Sequence, residues 1–246
     1  MFRVFSSASY LVQHLLPRVV RGMSSESPRD TWERLKCSKI VEEIHLLNGT
    51  EEKAPGSIRI VCISDTHNLT KGLAAKIPVG DILIHSGDFT NLGEISDVIA
   101  FNDFLNELPH LHKVVIAGNH DLSFDLDTYG STYPRLGRGN LEQHRHAKQK
   151  LTNCTYLEDS GVELFGIKIW GSPWTPWYYD WAFNVERGSQ SMAKWNQIPK
   201  DTDVLITHGP PLGYGDRCDG GDRAGCLDLL QTIQVNIVSQ LCRVLF

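Results

Sequence analysis

Four short apolar runs, each followed at once by small or polar residues, constrain the fold of this chain more than any other feature. They span residues 58–64, 81–85, 114–117 and 204–207. Continuous apolar runs of this kind are typical of strands buried on both faces, which occur where helices cover a parallel sheet. The helical spacing of apolar side chains in residues 94–108 predicts one of these covering helices. The pattern therefore predicts an α/β domain.

Two further helices and a group of antiparallel strands are predicted along the second half of the chain. Residues 141–151 and 226–238 carry helical patterns. Residues 155–170 alternate in polarity, and glycine-containing turns interrupt the alternation. Such spacing is typical of neighbouring antiparallel strands. We expect this middle segment to form a β-meander.

The composition excludes several classes of protein. The 246 residues include 41% hydrophobic and 22% charged side chains, which is usual for a folded domain. A net charge of -5 argues against binding to long nucleic acids, because such proteins present a basic face to the phosphates. The sequence lacks a run of about 18 apolar residues, so no membrane span is predicted. The scattered cysteines, without a C-x-x-C pair, favour a reducing, cytoplasmic environment.

Residues 1–56 are expected to be a partly disordered N-terminal extension that precedes a domain at residues 57–246. The first part, residues 1–23, contains arginines, serines and apolar residues but no acidic residue, which is the composition of a mitochondrial presequence. A frayed extension is the alternative, since Pro17 would interrupt an amphipathic helix. A mitochondrial location therefore stands as the alternative to a cytoplasmic one.

Side chains that bind metal ions follow each of the four apolar runs. Asp65 and His67 follow the first run, Asp88 the second, Asn119 the third and His208 the fourth. The carboxyl ends of parallel strands meet at one edge of a sheet, so these side chains can converge on one crevice. Carboxylate, imidazole and amide ligands suit manganese, iron or zinc better than calcium or magnesium. The ordered set predicts a dinuclear metal site.

Each of these motifs is weak when it is considered alone. A D-x-H triplet or a Gly-Asp pair occurs by chance, and a strand histidine is more often a hydrogen-bonded core residue than a ligand. The prediction depends on all four motifs, each placed at the end of a predicted strand.

The order of the motifs resembles that of the calcineurin-like metallophosphoesterase superfamily. D-x-H stands at residues 65–67, G-D at 87–88, G-N-H-D at 118–121 and a strand-end histidine in 207–209. Longer stretches are similar to the metallophosphoesterase-domain-containing, UPF0046-like group: ISDTHN, ILIHSGDFT, VIAGNHD, WGSPWTPW and THGPPLGYGD. The resemblance covers roughly residues 57–230. It implies a four-layer α/β/β/α sandwich with the site between the two sheets.

The resemblance also implies a role for each site residue. Five residues would bind two divalent cations, with the third of them shared: Asp65, His67, Asp88, Asn119 and His208. The first three would bind one cation and the last three the other, with manganese as the expected metal and iron or zinc as alternatives. His120 would be the proton donor and Asp121 its orienting partner. The implied reaction is hydrolysis of phosphodiesters, including cyclic nucleotides, by a water that the two cations activate.

An aromatic cluster bears on the substrate. Its members are Trp170, Trp174, Trp177, Tyr178, Tyr179 and Trp181. An exposed aromatic face there would stack on a nucleobase, whereas aromatic residues packed into the sheet would have no such role. The expected partner is a small phosphoester or a nucleotide.

The superfamily pattern has a fifth element, G-H-x-H, that this sequence lacks, since no histidine follows His208. Its absence implies fewer protein ligands for each cation, a missing last strand and an open sheet edge, as expected of a truncated or alternatively spliced product. Two functions therefore stay open. One is a working metallophosphoesterase, and the other is a catalytically impaired nucleotide-binding or regulatory protein.

Overall fold

The structure is a computed structural model that describes residues 10–12, 27–36, 41–42, 52–129, 141–236 and 243–245. Its strands, in chain order, are β1 (Tyr10–Val12), β2 (Val41–Glu42), β3 (Ile60–Ile63), β4 (Ile82–His85), β5 (His112–Val115), β6 (Thr155–Tyr156), β7 (Ser160–Leu164), β8 (Ile167–Ser172), β9 (Thr175–Pro176), β10 (Asn184–Val185), β11 (Val204–Thr207) and β12 (Arg243–Leu245). Its α-helices are α1 (Pro28–Leu35), α2 (Ile95–Glu107), α3 (Leu141–His144), α4 (Ser189–Trp195) and α5 (Leu227–Asn236).

Within the described residues, these strands form two main sheets and one short ladder. The first sheet has the order β3-β4-β5-β6, and all of its strands are parallel. The second has the order β2-β1-β12-β11-β8-β7, with parallel pairs on both sides of β11 and an antiparallel β7–β8 hairpin. β9 and β10 pair with each other in parallel.

The two sheets pack face to face, and helices cover the outer face of each. One buried cluster lies between the sheets and joins residues such as Ile84 of β4 to Ile206 of β11. The outer face of the first sheet packs against α2, through residues such as Phe101. The outer face of the second packs against α4 and α5, where Leu205 meets Trp195. This is the predicted α/β/β/α order of layers.

The predicted strands agree with the structure more closely than the other predicted elements do. The last apolar run coincides with β11, whereas β5 begins two residues before its run at residue 114. The predicted meander is wrong in one respect, because β6 pairs with β5 of the first sheet and only β7 and β8 form the hairpin. The helix predicted at residues 141–151 is interrupted, since α3 ends at the buried His144 and a separate 3-10 turn follows at Lys148–Lys150.

Part of the predicted N-terminal extension packs against the domain. α1 begins at the N-cap Ser27, whose hydroxyl accepts a hydrogen bond from the backbone N–H of Asp30. Its Trp32 is buried against Leu212 and Tyr214, in the loop that follows β11. The helix therefore contacts the domain, although it lies before the expected boundary at residue 57. Most of residues 1–23, on which the presequence interpretation rests, lie outside the described residues.

β11 has a neighbouring strand on each side. β12 pairs with β11 in parallel, with Val244 opposite Leu205, and β1 pairs with the far side of β12. The sheet edge that the missing fifth motif predicted is therefore not found at β11 in the described residues. Among the described residues, no helix combines the length and the apolar character that crossing a membrane requires.

Candidate metal centre

The five predicted ligands stand where four strands end at one edge of the sandwich. Asp65 and His67 follow β3, and Asp88 follows β4. Asn119 follows β5, whereas His208 follows β11 of the other sheet. The carboxyl ends of strands form the usual ligand crevice of an α/β sheet. Because both sheets contribute ligands, the candidate centre lies between the sheets.

Backbone hydrogen bonds beyond the strand ends hold the first ligand loops in register. The N–H of Asp65 donates to the carbonyl oxygen of Gly87 at 3.0 Å, and that of His67 donates to the carbonyl oxygen of Asp88 at 3.0 Å. Asp65, His67 and Asp88 have φ values of 53°, 41° and 56°. Such left-handed backbone costs on the order of 1–3 kcal/mol at a non-glycine residue, and it concentrates at functional sites. The three side chains are therefore positioned before any ligand binds.

Asp88 occupies the middle of the cluster. Its Oδ1 lies 3.4 Å from Nε2 of His208, and its Oδ2 lies 3.6 Å from Nε2 of His67. Nε2 of His67 is also 3.9 Å from Oδ1 of Asp65. The Asp88 side chain is 5% exposed, whereas that of Asp65 is 55% exposed. The cluster thus has a buried carboxylate between two imidazoles and reaches solvent on the Asp65 side.

The Asp88 carboxylate and the His208 imidazole depend on each other's charge. Burial alone would raise the pKa of Asp88, but the charge and the hydrogen bond of His208 lower it to about 2. Burial would likewise lower the pKa of His208, but the Asp88 carboxylate raises it to about 10. A buried carboxylate is costly without a positive neighbour. In the metal-free protein protonated His208 supplies that charge, and a bound cation would take the place of the proton.

A hydrogen bond at Nδ1 orients two of the imidazoles. Nδ1 of His208 lies 2.9 Å from the carbonyl oxygen of Ser86, and Nδ1 of His120 lies 2.9 Å from the carbonyl oxygen of Asn91. With Nδ1–H donating to a carbonyl oxygen, Nε2 of each ring turns toward the centre, as in many metal-binding histidines. Nε2 of His208 is 2.9 Å from Oδ1 of Asn119, which brings this predicted ligand into the cluster.

The donor atoms fit divalent cations. Two groups of three side chains have ligand atoms within 4.8 Å of one another, and Asp88 belongs to both. His67 and His120 complete one group, and Asp65 and His208 complete the other. Imidazole and carboxylate donors without thiolate suit manganese, iron or zinc. This grouping differs from the one that the resemblance implied, because Asp65 and His67 fall into different groups and His120 stands among the candidate ligands.

Asp121, which the resemblance implied to be the orienting partner of His120, is hydrogen-bonded to the backbone of the ligand loops. Its fully buried carboxylate accepts hydrogen bonds from the N–H groups of Asp88, Gly118 and Thr90 and from the Thr90 hydroxyl, at 2.7–2.9 Å. Burial, followed by the charge of Asp88, raises its pKa to about 7. The ring of His120 is oriented by the carbonyl oxygen described above. Asp121 thus holds the backbone of two ligand loops, and its orienting role toward His120 stays a prediction.

His85, the last residue of β4, was not predicted from the sequence to belong to the site. Its buried ring bridges the two ligand loops, since Nδ1 accepts from the N–H of Gly87 at 3.2 Å and Nε2 lies 3.0 Å from Oγ1 of Thr66. Because Nδ1 accepts, the proton is on Nε2, which donates to the Thr66 hydroxyl. Burial lowers the pKa of His85 to about 3, so the ring is neutral. A histidine inside an apolar run was the available signal, and it indicated only a core residue.

This buried neutral ring predicts a pH dependence of stability. In the unfolded chain the imidazole binds a proton below its ordinary pKa of about 6.5, whereas the folded protein holds it neutral down to about pH 3. The free energy of unfolding that His85 contributes is therefore complete above pH 6.5 and falls by about 1.4 kcal/mol per unit as the pH drops through this window. The free energies of unfolding of metal-free wild type and His85→Gln, measured with urea at a series of pH values, should converge toward acid pH. A difference between the two proteins that stays constant with pH would contradict the assignment.

The aromatic cluster divides between the core and the surface. Trp170 and Trp174 pack against the core clusters, which confirms the packing interpretation for these two residues. In contrast, Trp177, Tyr178 and Tyr179 are 54%, 59% and 68% exposed. These three side chains present aromatic rings to solvent.

Comparison with known proteins places the chain in a family. The model of the calcineurin-like phosphoesterase family matches residues 58–239, and the chain belongs to this family. Human metallophosphoesterase domain-containing protein 1 is 45% identical over 197 residues, which cover 77% of this chain and 60% of the human protein. A UPF0046 protein of Caenorhabditis elegans is 42% identical over 221 residues, which cover 87% of this chain and 77% of the nematode protein.

The relatives confirm the resemblance seen in the sequence motifs. This chain spans 60% of the length of the human relative and of its mouse counterpart. A solved crystal structure of 15% identity superimposes with a TM-score of 0.50 and covers 76% of this chain and 89% of its own. That likeness concerns the fold alone.

Proposed function

We propose that this protein is a metal-dependent phosphodiesterase whose centre holds two divalent cations. One observation carries the proposal: the buried Asp88 belongs to both groups of candidate ligands, with one oxygen directed to His208 and the other to His67. A carboxylate in that position can bridge two cations. We propose Asp65, His67, Asp88, Asn119 and His208 as the ligand set.

The chemistry follows from the ligands and from the side chain next to them. Two divalent cations held by these ligands would supply Lewis acidity, which would activate a water as nucleophile and offset charge on the phosphoryl oxygens. When the phosphorus–oxygen bond breaks, the leaving oxygen needs a proton. His120 can supply it from Nε2, because its Nδ1 is already bonded to the carbonyl oxygen of Asn91. General acid catalysis of this kind contributes about 10²- to 10⁴-fold.

The proposed substrate class is small phosphodiesters, including cyclic nucleotides. The exposed rings of Trp177 and Tyr178 support a nucleobase partner, because aromatic faces stack on bases without strong sequence preference. The net charge of -5 is consistent with a small substrate rather than a nucleic-acid backbone. Manganese is the proposed metal, with iron or zinc as alternatives.

His120→Ala tests the acid role and the function together. We expect metal content, measured by plasma mass spectrometry, to equal that of the wild type. Turnover of diphenyl phosphate, whose phenolate is a poor leaving group, should fall by roughly 10²-fold. Turnover of bis-p-nitrophenyl phosphate should fall only severalfold, since p-nitrophenolate leaves without a proton.

Other outcomes would redirect the proposal. If His120→Ala loses metal and both activities together, His120 is a ligand, as its place in one candidate group would allow. If the manganese-loaded wild type hydrolyses neither these diesters nor a cyclic nucleotide, yet binds nucleoside monophosphates, the protein is a nucleotide-binding regulator instead.

A further inference from the structure

The segment between β9 and β10 forms a closed loop beside the candidate centre. Its two ends are joined by the β9–β10 pair, in which Thr175 lies opposite Asn184. The N–H of Thr175 donates to the carbonyl oxygen of Phe183 at 2.9 Å, and that of Trp177 donates to the carbonyl oxygen of Val185 at 3.0 Å. We call residues 177–183 the aromatic loop.

Two hydrogen bonds attach the aromatic loop to the segment that follows β5. The N–H of Ala182 donates to the carbonyl oxygen of Asn119 at 3.1 Å. The N–H of Phe183 donates to Oδ2 of Asp125 at 2.8 Å. Ala182 and Phe183 are both buried, so these bonds are protected from water. The loop is therefore fixed relative to the backbone that carries Asn119 and His120.

The side chain of Trp181 extends from this fixed loop onto His120. The two ring centroids are 4.1 Å apart and the ring planes differ by 33°, so the indole lies along the imidazole face. The His67 ring meets the same imidazole at 4.7 Å and 85°. Trp181 is partly buried and also packs against the core cluster that includes α2. Its ring thus cannot move freely away from His120.

These contacts restrict different motions of the imidazole. The hydrogen bond from Nδ1 to Asn91 sets which nitrogen faces the centre, but a single hydrogen bond leaves the ring free to tilt around it. A flat indole against the imidazole limits that tilt. Since a misplacement of about 1 Å can reduce a rate about 10²-fold, the plane of the donor ring matters to proton transfer.

We propose that Trp181 is a positioning residue that fixes the plane of the His120 imidazole, so that Nε2 is directed at the leaving oxygen. The inference rests on the proposed function, in which His120 donates the proton. An aliphatic residue of similar size would fill part of the same volume but has no flat face. Phenylalanine would retain one.

The kinetic test compares Trp181→Leu and Trp181→Phe on the two aryl diesters. Trp181→Leu should lower turnover of diphenyl phosphate about 10- to 100-fold, a share of the acid contribution, and that of bis-p-nitrophenyl phosphate by less than about threefold. Trp181→Phe should recover most of the lost turnover. In a His120→Ala background, Trp181→Leu should have little further effect, because the residue acts through His120. Phe165→Leu is the control, since this exposed aromatic residue contacts His112 at the opposite end of β5.

A measurement that needs no turnover tests the contact itself. In metal-free protein with labelled histidines, the His120 ring proton signals should show the upfield shift that a neighbouring indole face produces. Trp181→Leu should abolish that shift and Trp181→Phe should keep part of it, while the signals of distant histidines stay in place.

The two proposals fail in distinguishable ways. Three results would overturn the positioning role and leave the proposed phosphodiesterase activity in place. Trp181→Leu could lower turnover of both diesters equally, or it could cause its full loss of turnover again in the His120→Ala background. The third result is a wild-type His120 signal without the indole shift. A wild type that hydrolyses neither diester would overturn the proposed function, and the positioning role with it.

Discussion

Asp88→Asn is expected to remove both cations and nearly all turnover. The substitution keeps the shape of the side chain but removes the charge that faces His67 and His208. It also leaves one side-chain oxygen where the wild type has two, so the side chain could not bridge two cations. Turnover of bis-p-nitrophenyl phosphate in manganese should fall by at least ~10³-fold, or about 4 kcal/mol in activation free energy. Metal content after gel filtration should fall toward zero.

Thermal unfolding gives an independent measure of the same loss. A cation that binds only the folded protein raises its stability according to the ratio of free metal to Kd. Manganese should therefore raise the Tm of the wild type and leave that of Asp88→Asn nearly unchanged. Asp201→Asn is the matched control, because this exposed carboxylate pairs with Lys168 on the surface. A variant at Asp88 that keeps two cations would rule out the bridging role.

The residues that meet at the candidate centre could be predicted from the sequence, because its strongest signals are local. Each ligand follows an apolar run, and buried parallel strands place the residues after them at one edge. Asp65, Asp88 and His208 could therefore be predicted to share one site from the four motifs and their places at the ends of predicted strands. The partners that orient these side chains could not, since they are backbone atoms. Every residue has a backbone carbonyl oxygen, so the residue types at Ser86 and Asn91 do not indicate this role.

The elements that the sequence predicted less well depend on contacts between distant segments. The alternation in residues 155–170 shows that strands are present but not which sheet each joins, and β6 pairs with β5. Likewise, the resemblance implied that Asp121 orients the preceding histidine, but it did not indicate how the carboxylate is bonded. Its pKa near 7 and its hydrogen bonds to three backbone N–H groups arise from a fully buried position that only the assembled loops create. The role of His85 could not be predicted for the same reason.

The resemblance implied that the fifth element of the family pattern supplies both a strand and metal-binding histidines. Its absence from the sequence predicted an open sheet edge. In the part of the chain that the structure describes, β12 pairs with β11, so β11 is not an edge strand. In the described residues, the candidate ligand groups contain Asp65, His67, Asp88, His120 and His208. The metal content per chain, and not the pairing of the strands, decides whether these side chains hold two cations.

Gly118→Ala should damage the centre without changing any ligand. A Cβ at this position would lie 2.3 Å from Oδ1 of Asp88, 2.6 Å from its backbone nitrogen and 2.6 Å from Cε1 of His208. A carbon atom does not approach a non-bonded atom this closely, and the backbone nitrogen of Asp88 cannot move aside as a flexible side chain would. Asp88 and His208 must therefore separate or the loops must shift. Overpacking of this kind costs about 1–3 kcal/mol in the free energy of unfolding.

The loss of activity should exceed what the loss of stability alone would cause. With Asp88 and His208 displaced by about 1 Å, turnover of both aryl diesters should fall at least ~10²-fold, at temperatures where the variant is still folded by circular dichroism. Gly220→Ala is the matched control, because a Cβ there meets no atom within 4 Å. Manganese should stabilise that control as much as it does the wild type, and Gly118→Ala much less. Normal metal binding and turnover in Gly118→Ala would mean that Asp88 and His208 do not share the close contact on which the bridging carboxylate depends.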